Sequence, residues 1–467
     1  MERRINLPQK VKYIIDTLQT AGYEAYAVGG CVRDTLLERV PDDWDITTDA
    51  KPAQIKAIFR RTVDTGIEHG TVTVLLDKEG FEVTTYRIDG EYEDGRHPKE
   101  VAFTTNLRED LQRRDFTINA MAYNDTVGLV DIFDGALDLQ NRVIRCVGNA
   151  RERFSEDALR MLRAVRFSGQ LGFFIEENTQ NAIHELAGNL EKISAERIQT
   201  ELVKLMCSAH PNRLMMAYET GMTAVFFPEF DALMQEKEFE TVGEHTIRTL
   251  LAVPADKNLR LTMLLHELAM ASSDAGEAAE QPDTETRDSR MPDDVNDARR
   301  DKKEHLAQES AKMARAFLKR LKFDNDTIRT VTKLISYQYV KPSLEEEAVR
   351  RLAAQIGMDT LEKVLCVKRA DAIGETKEQY QKTMDYLDAL SAFITRVKES
   401  GACLRREDLA LSGSDLITLG ITPGKQVGEV LSMLLDTVLS DPKKNTRKAL
   451  ECMVKQSVYL SANNSTK

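Results

Sequence analysis

The chain has 467 residues, of which 42% are hydrophobic and 30% charged, and its formal net charge is -12. This length and composition allow large buried cores and predict two to four domains. No run of about 18 apolar residues occurs and the start has no apolar signal-peptide core, so we expect neither membrane insertion nor secretion, and a cytoplasmic location.

Cysteine spacing and charge narrow the classes of partner. The six cysteines stand singly without a CxxC pair, which argues against a zinc cage and a disulfide framework. The acidic total does not favour nucleic-acid binding, because affinity for phosphate needs clustered Lys and Arg. Two segments are nevertheless basic: residues 141–170 hold seven arginines against three acids, and residues 443–467 hold six basic residues against one acid.

The elements change character along the chain. A helical pattern, VKYIIDTLQTAG, precedes strand-like runs AYAVGG, WDIT, GTVTVLL, FEVTTYRI and GLVDIF, which indicates an α/β domain over residues 1–145. From residue 146 onward, apolar residues recur at three- and four-residue spacing, which predicts helices only. Residues 272–303 carry ten acids, six bases and no aromatic residue, so we predict a disordered insertion there.

The stretch GGCVRDTLLERVPDDWDITT, residues 29–48, concentrates chemistry in the head. Gly29 and Gly30 fall between a strand and a helix, where backbone amides can approach a phosphate, although an ordinary turn has the same pattern. Strand alternation places Asp43 and Asp45 on one face, and paired carboxylates favour Mg²⁺ unless they form a solvated strand end. Glu82 in FEVTTYR is the candidate third carboxylate, from an adjacent strand.

Five blocks in order carry a resemblance to a known family. They are GGCVRDTLLERVPDDWDITTDA, RRDFTINAMAY (113–123), DIFDGALDLQNRVIRCVG (131–148), RFSEDALRMLRAVRFSGQLGF (153–173) and ISAERIQTELVKLM (193–206). Together they resemble the bacterial class II CCA-adding enzymes, which are tRNA nucleotidyltransferases of the polymerase-β-like superfamily. The segment LALSGSDLITLGITPGKQVGEVLSMLLDTVLSDPKKNTRKAL (409–450) is also similar to this family.

The resemblance implies an activity and a set of site residues. The activity is template-independent addition of CCA to tRNA 3′ ends from CTP and ATP, with Mg²⁺ as cofactor and tRNA as partner. Gly29, Gly30 and Arg33 would hold the triphosphate, and Asp43 and Asp45 would bind two Mg²⁺ ions with Glu82 beside them. Sugar and phosphate contacts would come from Arg113, Arg114, Asp115 and Asn119, which could otherwise form an exposed polar patch.

The fourth block offers a physical account of base selection. Ser155 is predicted to cap a helix on which Asp157 and Arg160 share one face. Cytosine and adenine present an amino group beside a ring nitrogen acceptor, so Asp157 can accept a hydrogen bond while Arg160 donates one. Arg163 and Arg166 follow on the same helix, where they could support it or reach RNA phosphates. An ordinary surface ion pair between Asp157 and Arg160 is the alternative.

Other activities remain open at this point. The segment 86–103 is similar to a loop found in CCA-adding enzymes, which favours addition of the full triplet. Poly(A) polymerases and A-adding enzymes are the nearest alternative activities. Poly(A) polymerases tend to have the sequence EDP where this chain has EDA (156–158). The middle of the chain resembles a degraded HD-type metal phosphohydrolase with His266 and Glu267 in place of a His-Asp pair; His245 and His305 also remain, but SYQYV (336–340) supplies neither His nor Asp. A non-catalytic RNA-binding protein is a third possibility, opposed by the intact site residues.

The predicted architecture is an α+β multidomain protein. A polymerase-β-like nucleotidyltransferase α/β head (1–145) is followed by an all-helical neck (146–210), a degenerate HD-like body (211–340) and a tail that binds tRNA (341–467). In the tail, Lys443, Lys444, Arg447 and Lys448 are candidate contacts to the RNA backbone, or else a solvated helix face. The sequence does not indicate the oligomeric state.

Overall fold

The computed structural model describes residues 4–89, 101–235, 241–271 and 293–464. The chain divides into two compact units, one formed by Met1–Gln235 with Lys319–Phe323 and the other by Glu236–Leu318 with Asp324–Lys467. The predicted head and neck both lie in the first unit, which continues past residue 210. Within the described ranges, none of the helices combines the length and the apolarity that crossing a bilayer requires.

Strands occur in the first unit only, as far as the structure describes the chain. They are β1 (Ala25–Val28), β2 (Ile46–Thr48), β3 (Thr62–Gly66), β4 (Thr71–Leu76), β5 (Glu79–Thr85), β6 (Arg87–Asp89), β7 (Val101–Phe103), β8 (Met121–Asn124), β9 (Gly128–Asp131), β10 (Val143–Ile144) and β11 (Phe174–Ile175). Seven of them form one sheet in the order β3-β4-β5-β2-β1-β8-β9, while β6 pairs with β7 and β10 with β11. In the large sheet, only β2 and β5 run parallel to each other.

Helices of the first unit cover the sheet and form the neck. They are α1 (Gln9–Thr20), α2 (Gly30–Leu36), α3 (Pro52–Ile58), α4 (Leu107–Gln112), α5 (Gly135–Asn141), α6 (Ala150–Glu156), α7 (Leu159–Leu171), α8 (Glu177–Leu186), α9 (Ala195–Met206), α10 (Leu214–Glu219), α11 (Thr223–Phe226) and α12 (Pro228–Leu233). Helix α1 shows why these segments fold: Val11, Ile14, Ile15 and Leu18 are spaced to form one apolar face, and all four are buried.

The second unit is helical throughout its described residues. It contains α13 (Val242–Ala252), α14 (Lys257–Leu265), α15 (Asp293–Arg320, whose last residues join the first unit), α16 (Asn325–Ser336), α17 (Glu346–Ile356), α18 (Met358–Asp371), α19 (Lys377–Glu399), α20 (Gly413–Thr418), α21 (Lys425–Ser440) and α22 (Arg447–Asn464). The tail has a core of its own, in which Leu411, Leu434 and Leu450 are fully buried. This core holds α21 and α22 together by apolar packing.

The predicted disorder of residues 272–303 is wrong in part. Residues 293–303 lie in α15, which begins at Asp293, while 272–292 fall outside the described residues. Charge density misled the prediction, because Ala, Arg and Lys are good helix formers and extending an existing helix requires no new nucleus. The acidic, aromatic-free composition therefore did not prevent helix formation next to an amphipathic segment.

The predicted fold class is confirmed: an α/β head precedes a helical remainder. The predicted runs correspond to β1, β2, β4, β5 with β6, and β9, whereas β3, β7, β8 and β10 were not predicted. Strand β11 is an exception to the wholly helical prediction beyond residue 146, because it pairs with β10 in register Val143 to Phe174.

Candidate active site

Three carboxylates lie near one another where β2 begins. Asp43 and Asp45 lie in the segment just before this strand, and the Val28 N–H donates a hydrogen bond to the Asp45 carbonyl oxygen at 3.0 Å. The parallel register pairs Ile46 with Val83, so the residues one position earlier, Asp45 and Glu82, are neighbours on adjacent strands. The topology therefore brings together the three acids that the sequence singled out.

The pKa of Asp45 shows that this carboxyl is close to other negative charges. Burial, together with the like charges of Asp43 and Glu82, raises the pKa of the Asp45 carboxyl to about 6, against the opposing effect of Arg114. A cation beside such a carboxyl favours its ionised form, because it offsets the neighbouring negative charges. Asp43 is exposed and Asp45 half-buried, so the group is open to substrate from solvent.

The donor set fits a hard divalent cation. All three candidate ligands offer oxygen only, which is what Mg²⁺ prefers, and Mg²⁺ commonly completes its shell with substrate phosphates and water. Among the described residues, these three carboxylates do not form a group whose ligand atoms all lie within 4.8 Å of one another. An ion shared with a triphosphate does not require such a closed cage.

The glycine turn packs against the arginines of the second block. Gly29 has φ 81°, and a Cβ at this position would lie 2.9 Å from Nη1 of Arg114. A side chain would therefore be strained by its backbone and would displace the guanidinium. Gly30 begins α2, and Arg33 follows one turn later.

Arg33 is held by two partners inside the protein. Its Nε and Nη2 donate to the two carboxylate oxygens of Asp34 at 2.9 and 2.8 Å, and its Nη1 donates to Oδ1 of Asn119 at 2.7 Å. The guanidinium also lies over the ring of Phe167, 5.1 Å from its centroid. Asp34 thus holds the Arg33 guanidinium in place.

Asp110 organises the two arginines at the start of the second block. Its Oδ1 accepts from Nε and Nη2 of Arg113 at 2.9 and 2.8 Å, while Nη2 of Arg114 lies 3.5 Å from its Oδ2. Asp110 is buried, and Thr47 of β2 also donates to it. Asp110 was not predicted from the sequence, although its spacing of three and four residues from two arginines is a recognisable helical ion-pair pattern.

Asp115 joins the head to the neck. Its Oδ2 accepts from Nε of Arg163 at 2.8 Å, and its Oδ1 accepts from the amide of Asn119 at 3.2 Å. Burial alone would raise the pKa of this carboxyl, but the charge of Arg163 and the hydrogen bond from Asn119 outweigh burial and lower it to about 2. Asp115, Asn119 and Arg33 consequently form one hydrogen-bonded chain.

Asp157 and Arg160, the predicted base-reading pair, are both held in position by hydrogen bonds and ion pairs to other residues. Arg197 makes a two-pronged ion pair with Asp157, with Nη1 to Oδ1 at 3.2 Å and Nη2 to Oδ2 at 2.6 Å. Arg160 donates through Nη1 to Glu156 at 2.7 Å and through Nη2 to the carbonyl of Arg113 at 3.0 Å. These contacts fix the position of both groups relative to the second block.

The predicted helix cap is wrong. Ser155 lies inside α6, which ends at Glu156, and α7 begins at Leu159. Asp157 occupies the break in an extended conformation, and its Oδ1 accepts from the Leu159 N–H at 3.1 Å. Asp157 therefore performs the capping that was assigned to Ser155, because its carboxylate reaches the exposed N–H groups of the new helix.

Arg166 is buried within the neck. Its Nε donates to Glu201 at 2.7 Å and its Nη1 to Gln170 at 2.7 Å, and its guanidinium lies 3.5 Å from the centroid of the Phe167 ring. Glu201 belongs to α9 and also lies 3.8 Å from Arg163. Of the two roles left open for Arg166, these contacts favour support of the helix pair α7 and α9.

Residues that the sequence analysis missed lie mainly in the fifth block. Arg197 and Glu201 occupy α9 and meet acids and arginines of the fourth block. Both were visible in ISAERIQTELVKLM, where charged residues interrupt an amphipathic helix. Opposite charges on two adjacent helical blocks were the signal that could have paired them.

Two further predicted contact regions are the segment 86–103 and the basic residues of the tail. Residues 90–100 of the predicted loop lie outside the described residues, and the flanking strands β6 and β7 pair with each other. In the tail, Arg447 donates to Asp415 at 2.7 Å and to Glu451 at 2.9 Å, and Lys444 lies 3.9 Å from Asp441. Arg447 and Lys444, two of the four basic residues predicted to contact RNA, therefore form ion pairs within the chain.

Family models match three parts of the chain. The Poly A polymerase head domain matches residues 25–145, which contain the sheet and the carboxylates. The model described as Probable RNA and SrmB- binding site of polymerase A matches residues 172–234, and a tRNA nucleotidyltransferase domain 2 model matches residues 305–454.

Curated relatives extend the match to nearly the whole chain. The CCA-adding enzyme of Pediococcus pentosaceus is 36% identical over 448 residues, which cover 95% of this chain and 97% of that protein. The chain belongs to the CCA-adding enzyme family. The family member from Lactiplantibacillus plantarum is likewise 36% identical, over 95% of this chain and 94% of its own length. The resemblance noted in the five sequence blocks is therefore confirmed.

Solved structures of the family share this fold. The Bacillus stearothermophilus CCA-adding enzyme in complex with CTP aligns with a TM-score of 0.71 and 27% identity, covering 98% of each chain. The Thermotoga maritima enzyme complexed with tRNA aligns with a TM-score of 0.54 and 21% identity over 97% of this chain and 96% of that one, which supports the fold alone.

Proposed function

We propose that the protein adds CCA to the 3′ ends of tRNA without a nucleic-acid template, using CTP and ATP. The observation that carries the proposal is the relationship to CCA-adding enzymes along 95% of the chain, with the carboxylate group in the matched head. The tRNA 3′-hydroxyl attacks the α-phosphate of the nucleotide, and pyrophosphate leaves. The expected compartment remains the cytoplasm, where tRNA and both nucleotides are present.

Asp43 and Asp45 are proposed to hold the divalent ions, with Glu82 as the third carboxylate, and Mg²⁺ as the physiological ion. When bound, the ions activate the attacking hydroxyl and stabilise the pyrophosphate as it leaves. The crowding of like charge around Asp45 supports this assignment, because a cation relieves it. Gly29 and Gly30 let the backbone approach the triphosphate, and Arg33, Arg113 and Arg114 supply positive charge beside it.

Base selection is proposed to rest on Asp157 and Arg160. Asp157 accepts from the exocyclic amino group of cytosine or adenine, and Arg160 donates to the neighbouring ring nitrogen. Guanine and uracil present a carbonyl and an N–H there, which leaves both protein groups wrongly paired. Arg197 and Glu156 support this role, since they hold the two side chains in place without a complementary base.

The decisive experiment is primer extension on tRNA that lacks its 3′ CCA, with each nucleotide alone and in pairs. We expect two additions with CTP alone and a third with CTP and ATP together. Incorporation of ATP but not CTP would instead identify an A-adding enzyme, and long adenosine tails would identify a poly(A) polymerase. Either result would overturn the proposal of full CCA addition.

A double variant separates catalysis from RNA binding. Asp43→Ala with Asp45→Ala is expected to retain tRNA binding in a gel-shift assay and to lose incorporation. If the wild-type protein binds tRNA but incorporates neither nucleotide, the chain is an RNA-binding protein without transferase activity. Unchanged incorporation by the double variant would exclude the metal assignment.

A further inference from the structure

The second unit gathers four potential metal ligands that are distant in sequence. His245 lies on α13, His266 and Glu267 follow the end of α14, and Asp371 is the last residue of α18. One ligand atom from each lies within 4.8 Å of all the others, and no other such group occurs among the described residues. The first three residues were candidates from the sequence, which has neither His nor Asp at 336–340, and the fourth residue of the group is Asp371. His305 is not part of the group.

The spacing of the four side chains suits a shared ion. Nε2 of His266 and Nε2 of His245 lie 3.2 and 3.4 Å from Oδ1 of Asp371. Oε2 of Glu267 lies 3.7 Å from the first ring nitrogen and 3.9 Å from the second. Two ligands bound to a tetrahedral ion at about 2.1 Å lie about 3.4 Å apart, which is close to these separations.

The backbone orients His266 toward the group. The Met263 carbonyl lies 2.8 Å from Nδ1 of His266, and because a carbonyl only accepts, Nδ1 carries the hydrogen. Nε2 is therefore the nitrogen that faces Asp371 and Glu267, an arrangement common in metal-binding histidines. Nε2 of Gln338 donates to the backbone carbonyl of His266 at 2.9 Å and fixes this turn.

Glu267 supplies an independent sign that a cation belongs here. Its Oε2 is buried and has no hydrogen-bond partner, although it points at two imidazoles. An unpartnered buried carboxylate oxygen is costly unless a positive charge compensates it.

Gly374 leaves room for the His245 ring. A Cβ at position 374 would lie 2.7 Å from Nδ1 of His245 and 2.8 Å from its Cε1. A larger residue would push the imidazole away from Asp371, so the position of this ligand depends on a residue outside the group.

We infer that His245, His266, Glu267 and Asp371 bind one divalent transition-metal ion in a closed site that joins α13, the end of α14 and the end of α18. Two imidazoles with two carboxylates suit Zn²⁺ and its first-row neighbours, whereas Mg²⁺ and Ca²⁺ prefer oxygen ligands alone. Four protein ligands are typical of a structural site, because a catalytic ion keeps an open position. The ion therefore stabilises the second unit and is separate from the ions of the transferase site.

Metal binding is tested on the full-length, tag-free protein after chelation. We expect one Zn²⁺ per chain by calorimetry and a rise in the unfolding temperature of about 5 °C at a hundredfold excess over the dissociation constant. Co²⁺ should give the strong visible absorption of a tetrahedral site. Glu267→Gln, which preserves side-chain size, is expected to weaken Zn²⁺ binding at least a hundredfold, and Gly374→Ala to weaken it less.

His305→Ala is the matched control, because His305 is an exposed histidine of the same unit outside the group. This variant should bind Zn²⁺ and Co²⁺ as the wild type does. Equal binding by wild type and Glu267→Gln would overturn the inference, as would a Co²⁺ spectrum without tetrahedral bands. Hydrolysis of a phosphodiester that requires Mn²⁺ or Ni²⁺ and is lost in His266→Ala would overturn the closed, structural assignment.

Discussion

Carboxylates of the head and of the neck are treated in opposite ways within the same compact unit. In the head, Asp43, Asp45 and Glu82 crowd one another, and the pKa of Asp45 is raised to about 6. In the neck, Asp157 and Glu201 are each paired with an arginine, and Asp115 at the junction has its pKa lowered to about 2. Arginines neutralise the acids of the neck and junction, whereas the acids of the head have like-charged neighbours, as the proposed divalent-ion site requires.

The largest expected effect comes from removing charge in the head. Asp45→Asn should lower nucleotide incorporation by about 10³-fold or more, since the metal contribution amounts to several kcal/mol. Incorporation into tRNA is measured with CTP at saturating Mg²⁺. The control is Asp42→Asn, an exposed neighbour outside the proposed ligand pair, which should remain active. Equal losses in both variants would show that general charge, rather than ligation, matters here.

A second test addresses selectivity in the neck. Arg160→Ala should reduce the preference for CTP over UTP by about 10- to 100-fold, because a well-formed two-point base contact discriminates by about 1–3 kcal/mol. The ratio of kcat/KM for the two nucleotides is the measurement. Glu152→Gln, exposed on the preceding helix, should leave the ratio unchanged. A lower rate with an unchanged ratio would assign Arg160 to support of the fold alone.

Patterns of neighbouring residues in the sequence predicted much of the first unit, but they do not predict contacts between residues that are far apart in the sequence. Asp43 and Asp45 stand two residues apart just before β2, and the parallel pairing of β2 with β5 brings Glu82 beside Asp45, so patterns close together in the sequence were enough to predict this group. Arg197 and Asp157 are forty residues apart in sequence, and their ion pair depends on the packing of α9 against α7. Tertiary contacts of this kind produce no periodic pattern in the sequence, so the ion pair of Arg197 with Asp157, one of the proposed base-reading residues, was not predicted.

Helix boundaries failed for a related reason. Ser155 followed by acids is a typical start signal, yet α6 continues through it to Glu156. The interruption occurs at Asp157, whose extended backbone and contact with Arg197 hold the chain between two helices. A capping pattern therefore indicated that a helix starts nearby, but the choice between neighbouring polar residues was made by tertiary contacts.

A third test compares a buried neck pair with an exposed one. Glu201→Gln leaves Arg166 buried without its charged partner, so it should lower the free energy of unfolding by about 3 kcal/mol. Chemical denaturation followed by circular dichroism gives this value. The matched control is Glu185→Gln, which breaks the exposed pair with Arg151 and should cause no measurable change. Similar losses in both variants would contradict the structural role given to the Arg166 pair.

The smallest expected effect is a dependence of stability on acid through Asp115. Its pKa in the folded protein, about 2, lies below the value of about 3.9 for an unperturbed Asp, so the stabilisation is complete above pH 4 and is lost as the pH falls toward 2. This linkage is worth about 2 kcal/mol. Asp115→Asn is expected to be less stable than the wild type at pH 7, and the difference in unfolding free energy should shrink between pH 4 and pH 2. A difference that stays constant over this interval would mean that Arg163 and Asn119 do not stabilise the ionised carboxylate, and that Asp115 resembles Asp45 more than Glu201.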